Sequence, residues 1–248
     1  MRKYRAIMGM PVFVEVVDAH ATQETYEQVF AYFTHVDETF STYKEGSEIS
    51  AINKGILGLS DYSDEMKEVF ERSEETRKQS YGYFNIKKPD GSLDPSGLVK
   101  GWAINRAAQM LTQLGFSNFY LEAGGDIQTS GKNSNGQEWS IGIRSPFFAK
   151  EIVKIIYPRG AGVATSGTYL RGRHIYNPHE KKPASEDLVS LTVVGKDVYE
   201  ADRFATAAFA MGEDGIQFIE RFPGLEGYAV TKSGIATMTS GFERYTKL

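Results

Sequence analysis

Apolar side chains at Tyr26, Val29, Phe30, Phe33, Val36 and Phe40 recur every three or four positions, which predicts an amphipathic helix over about 22–40 with a buried aromatic stripe. A second helix is expected from Ser63, an N-cap residue type, through Met66, Val69 and Phe70 to a stop at Gly82. Its Glu, Lys and Arg positions form a solvated face. Leu98, Trp102, Ile104, Ala108 and Leu111 announce a third helix that ends near Gly115, and a fourth runs from about Tyr199 to Met211. Alternation from Val12 to Val16 predicts a half-buried strand. Further strands are expected at about 119–122, 139–144, 151–157, 189–194 and 228–231, and Pro89, Asp90 and Gly91 mark a turn within 87–94. Helices and strands come in mixed order without βαβ alternation, so the expected class is α+β, with mixed or antiparallel sheets partly covered by helices. No repeat, low-complexity tract or linker breaks the chain, and residues 1–248 read as a single domain.

Composition narrows the function. With 41% hydrophobic residues the chain can bury a large core, and a formal charge of -4 provides no broad positive surface for a phosphate backbone, so nucleic acid is not an expected partner. The absence of cysteine excludes disulfides, thiolate nucleophiles and a lipid-modified cysteine anchor. The opening stretch, with its basic start and Ala19-His20-Ala21, superficially mimics a secretion signal, but Pro11 and Glu15 interrupt its apolar run. No other stretch is long enough to span a bilayer, and the expectation is a cytoplasmic protein without a membrane partner.

Four stretches could carry chemistry. Asp202 and Thr206 stand four apart on one helix face, and a carboxylate beside a hydroxyl suits Mg²⁺, although an Asp near a helix start also serves as a favourable N-terminal charge. Leu93 to Gly101 is a tight turn into the third helix, where free N–H groups and Lys100 favour an anion, while Asp94 or Ser96 suffices as a plain cap. Gly124-Gly125-Asp126 follows a strand end and lets backbone or ligand come close, but it is neither GxGxxG nor a P-loop. Thr165-Ser166-Gly167 precedes His174, whose imidazole could act as a general base or be purely structural.

Taken in order, Met8-Gly9-Met10, Phe40-Ser41-Thr42-Tyr43, Tyr81 to Asn85, Asp94 to Gly101, Gly124-Gly125-Asp126, Thr165-Ser166-Gly167, His174 to Pro178 and Ala201-Asp202 to Gly212 resemble the FAD:protein FMN transferase family, often called ApbE. The resemblance extends from Met8 to about Gly234 and implies the ApbE-like fold. It also implies Mg²⁺ held by Asp202, Thr206 and the Gly97 carbonyl, and FAD, as substrate, contacted by Met8, Tyr43, Tyr83, Phe84, Asn85, Asp94, Lys100 and Tyr176. His174 is the candidate catalytic base. Asn85 and Asn177 stand where such proteins usually carry aspartate, and asparagine keeps an acceptor oxygen without the charge.

The implied reaction is cleavage of FAD, attachment of FMN through a phosphoester to a Thr or Ser hydroxyl of an acceptor flavoprotein, and release of AMP. Two alternatives use the same residues: a magnesium-dependent FAD pyrophosphatase, and a protein that binds FAD without cleaving it.

Overall fold

The computed structural model describes residues 2–148, 150–168, 175–180, 182–184 and 187–247. In chain order the first elements are β1 (Arg2–Ile7), β2 (Met10–Val16), α1 (Gln23–Phe40), α2 (Glu48–Asn53), α3 (Asp64–Gln79), α4 (Ser96–Gln113), β3 (Phe119–Ala123) and β4 (Asp126–Ser130). There follow β5 (Ile141–Arg144), β6 (Ile152–Ile156), β7 (Gly162–Gly167), β8 (Tyr176–Asn177), β9 (Lys182–Pro183) and β10 (Leu188–Gly195). The last are α5 (Val198–Ala210), α6 (Gly215–Glu220), β11 (Glu226–Thr231) and β12 (Ala236–Met238).

One antiparallel sheet, ordered β1-β2-β3-β4-β7-β10-β11-β12, organises the molecule. Because alternate side chains of a strand point to opposite faces, each central strand feeds two cores. Leu121, Ala164, Leu191, Val193 and Ala229 join the helices on one face. Ile127, Val163, Val194, Tyr228 and Val230 pack on the other face with the β5–β6 hairpin and Phe242. On the helical side α5 lies directly over β7 and β10, and α4 packs on α5 and α1. Burial of this kind stabilises by roughly 25 cal/mol per Å² of apolar surface, so the sheet holds α4 and α5 firmly in place.

The expected helices form close to their sequence bounds. Tyr26, Val29, Phe30, Phe33, Val36 and Phe40 are all buried on α1. Ser63 caps α3 by accepting the Met66 N–H at 3.1 Å, and the helix stops ahead of Tyr81 and Gly82, both at positive φ. Beyond the expected elements the structure adds β1, α2, β4, β7, β8, β9, α6 and β12. β7 reads Gly-Val-Ala-Thr-Ser-Gly, a strand between two neighbours and under a helix, where small residues are needed and alternation disappears.

Candidate active site

Gly124 and Gly125 join β3 to β4 in a two-residue hairpin loop, with Ala123 paired to Asp126. Both glycines have positive φ, 59° and 93°, the combination a tight primed turn requires. Asp126 is thereby delivered, fully buried, to the head of β4. Its Oδ1 accepts the Thr165 N–H of β7 at 3.0 Å, and its Oδ2 is ion-paired with Lys100 Nζ at 2.6 Å.

Antiparallel packing of α4 on α5 sets the other side. Gly97 and Gly101, one turn apart on α4, face Thr206 and Asp202, one turn apart on α5. A side chain at Gly101 would bring its Cβ to 2.5 Å from Asp202 Cβ, so the helices can approach this closely only at glycine. At that distance the Gly101 N–H donates to Asp202 Oδ2 at 2.7 Å, and Thr206 Oγ1 donates to the Gly97 carbonyl at 3.2 Å. Lys100 Nζ lies 3.6 Å from Asp202 Oδ1.

Two carboxylates therefore face one ammonium in a buried pocket. Burial raises the Asp202 carboxyl far above the ordinary carboxylate range; the Lys100 charge opposes that shift and the neighbouring Asp126 adds to it. A further positive charge would relieve this imbalance, and the available donors are all hard oxygens: the Asp202 carboxylate, the Thr206 hydroxyl and the Gly97 carbonyl. This set fits Mg²⁺. Among the described residues no three His, Cys, Asp or Glu side chains cluster as a metal cage, so a cation here would complete its coordination with water or phosphate oxygens.

These groups open into a cleft whose mouth is open to solvent. Of the residues singled out in the sequence, Tyr83, Phe84, Asn85, Asp94, Gly97, Lys100, Tyr176, Asp202 and Thr206 line it together. Their supports are local. Tyr176 OH donates to the Lys87 carbonyl at 2.9 Å, Asn85 Oδ1 accepts the Lys87 N–H at 2.9 Å, and Asp94 Oδ1 accepts the Ser96 N–H at 3.1 Å at the entrance of α4. Asn53 of α2 clamps Leu93 through both its amide groups, at 2.9 and 2.8 Å, and so fixes the turn that feeds α4.

Two expected flavin contacts do not line the cleft. Met8 sits at φ 57° in the β1–β2 turn and packs against the helical core. Tyr43, in the loop after α1, is 97% exposed. His174 lies outside the described residues. Asn177 is turned to local structure: its Oδ1 accepts the His179 N–H at 3.0 Å. Sequence reasoning noticed Gly124-Gly125-Asp126 only for its glycines and missed Asp126 itself. An aspartate placed directly after a hairpin turn, in a chain that also carries Lys100 before it, gives no local sign of an ion pair between helix and sheet.

Fold and site define an α+β protein with a cleft between a helix N-terminus and a buried carboxylate. The ApbE family model matches residues 8–88 and 86–229, and the chain belongs to this family. The chain is 30% identical over 161 residues to the FAD:protein FMN transferase of Escherichia coli K12, a stretch covering 61% of this chain and 46% of that protein. It is 34% identical over 135 residues to the Vibrio cholerae protein of the same name, covering 51% and 40%. These matches span less than half of those relatives. A longer alignment, 23% identical over 308 residues, joins 97% of the chain to 89% of the Haemophilus influenzae FAD:protein FMN transferase. Among solved structures, the flavin transferase ApbE of Vibrio cholerae superposes with a TM-score of 0.86 at 21% identity over 99% of both chains. The ApbE protein of Thermotoga maritima does so with 0.88 at 21% identity, covering 100% of this chain and 99% of that one. At that identity the likeness is one of fold.

Proposed function

We propose that this chain is a magnesium-dependent FAD:protein FMN transferase, which moves FMN from FAD to a Thr or Ser hydroxyl of an acceptor flavoprotein and releases AMP. The observation that carries the reading is the convergence, in one cleft, of the α4 N-terminus and Lys100 with the oxygens of Asp202, Thr206 and Gly97. The names of the curated relatives support it.

The Lys100 ammonium, with the positive dipole end of α4 behind it, receives the pyrophosphate of FAD. Tyr83, Phe84 and Tyr176 give the flat flavin ring aromatic walls, and Asn85 and Asp94 supply polar contacts. Met8 and Tyr43 enter as flavin contacts on the family resemblance alone. Asp202, Thr206 and the Gly97 carbonyl would hold Mg²⁺, which when bound supplies charge stabilisation to the phosphoryl oxygens. The acceptor hydroxyl oxygen forms a bond to the FMN phosphorus as the bond from that phosphorus to the AMP oxygen breaks. His174 is proposed to take the hydroxyl proton, a role resting on the resemblance; Ile175 and Tyr176, which follow it in sequence, line the cleft.

The test is incubation of the purified chain with FAD, Mg²⁺ and a threonine-bearing acceptor. An FMN-sized mass increase on the acceptor with matching AMP release is expected, and Asp202→Ala should lower both on the order of a hundredfold or more. AMP and free FMN without an adduct would convert the reading to a pyrophosphatase. Undiminished transfer by Asp202→Ala would remove the carboxylate from the site.

A further inference from the structure

Lys100 belongs to α4 and stands beside Asp202 of α5, yet its ammonium lies closer to a carboxylate from the sheet: Nζ is 2.6 Å from Asp126 Oδ2 and 3.6 Å from Asp202 Oδ1. Asp126 is wholly inaccessible to solvent and Lys100 only 15% exposed at its side chain, so this pairing forms in a weakly screened setting where a difference of this size matters. Asp126 cannot drift, because its second oxygen is held by the Thr165 N–H of β7 at 3.0 Å and its backbone begins β4.

We infer that Asp126 is a positioning residue that draws the Lys100 ammonium aside from Asp202 and so leaves that carboxylate available to a divalent cation. The inference rests on the cation site proposed above. An ammonium and a metal cation compete for the same carboxylate and repel each other there. With Asp126 present, Lys100 and Asp126 form a neutral buried pair, and the ammonium is held at the longer distance of 3.6 Å from Asp202 Oδ1. The Lys100 ammonium is then fixed beside the cation site, where it meets the phosphates of the substrate without occupying the metal's place. The hairpin geometry does not itself require a carboxylate here: an amide would fill the same volume and still accept the Thr165 N–H.

Asp126→Asn removes the charge and keeps that acceptor. Lys100 then turns to Asp202, and cation binding should weaken. Mn²⁺ binding to the full chain without FAD, followed by titration calorimetry and by the paramagnetic resonance of free Mn²⁺, reads this directly. Asp126→Asn should bind Mn²⁺ about tenfold or more weakly than the unchanged chain, the size usual for groups that orient a metal site from one shell out. The double variant Asp126→Asn/Lys100→Met, which also removes the competitor, should recover most of that loss. Equal affinity in Asp126→Asn, or a loss that persists in the double variant, overturns the inference. Failure of the unchanged chain to bind Mn²⁺ sinks the proposed cation site itself, a distinguishable result. Should Asp126→Asn not fold, a crystal structure of the unchanged chain with Mn²⁺ decides: Lys100 Nζ must stay within about 3.2 Å of Asp126, and a lysine turned onto Asp202 or away from both refutes the role.

Discussion

Gly101→Ala is the sharpest probe of how the site is built, because a single methyl group is placed where two helices touch. The new Cβ would lie 2.5 Å from Asp202 Cβ, 2.8 Å from the Val198 carbonyl oxygen and 3.0 Å from Asp202 Oδ2. Ordinary contact begins at 3.4 Å, and two of these three atoms are backbone or Cβ, which cannot swing away as the tip of a long side chain would. Helix α4 must therefore lift from α5 by most of an ångström. Overpacking of this kind costs about 1–3 kcal/mol. Alanine returns about 1 kcal/mol through its better helix propensity, so a net loss of up to about 2 kcal/mol is expected. For a chain of this size that lowers the melting temperature by up to roughly 8 °C. The effect on chemistry should be larger than the effect on stability, since the lift breaks the 2.7 Å bond from the Gly101 N–H to Asp202 and separates Gly97 from Thr206. A misplacement of about 1 Å costs on the order of a hundredfold in rate. Urea denaturation and AMP release from FAD at saturating Mg²⁺ measure the two. The milder control is Gly97→Ala, whose closest contact is the Thr206 methyl at 3.1 Å. Unchanged stability and unchanged AMP release in Gly101→Ala would refute the claim that helix contact at this glycine sets the position of Asp202.

Two further outcomes follow from the same buried charges. The Asp202 carboxyl has a folded value raised above its ordinary 3.8, so the stability it contributes is complete below that value and drains away as pH rises toward the folded one. Metal-free protein should accordingly show a lower urea midpoint at about pH 8 than at about pH 5, Asp202→Asn should flatten that slope, and Mg²⁺ should restore the midpoint of the unchanged chain at the higher pH; a slope identical in both proteins would contradict the assignment. Arg203 is 4% exposed and binds Thr76 Oγ1 at 3.2 Å, Gln79 Oε1 at 2.6 Å and Glu200 Oε2 at 2.7 Å, tying α5 to α3. Arg203→Ala leaves Glu200 without this partner and should cost about 3–5 kcal/mol by denaturant unfolding, with a change under about 1 kcal/mol showing that the link is dispensable.

Much of the architecture was legible because its helices carry one-sided patterns and standard ends. The Tyr26 to Phe40 stripe, the Ser63 cap and the glycine after α4 each express a local rule. β4 and β7 were not legible, since strands enclosed between neighbours and a helix are selected for small size and burial, not alternation. The pairing of Asp202 with Thr206 could be read as a helix face, and the Asp94 to Gly101 turn as a helix entrance. Their meeting could not, because they lie about a hundred residues apart and are joined only by α4 packing on α5.

Sequence alone determined which residues carry charge, and, for the four longest helices, which face is apolar and roughly where each begins and ends, because these depend on neighbours within a few positions. Only the tertiary structure decided that the Asp126 carboxylate takes the Lys100 ammonium while Asp202 stands beside it, and that Tyr43 is left in solvent. Those outcomes depend on distances between a helix and the sheet and between two helices, and such distances are set by packing, which no local pattern of residues encodes.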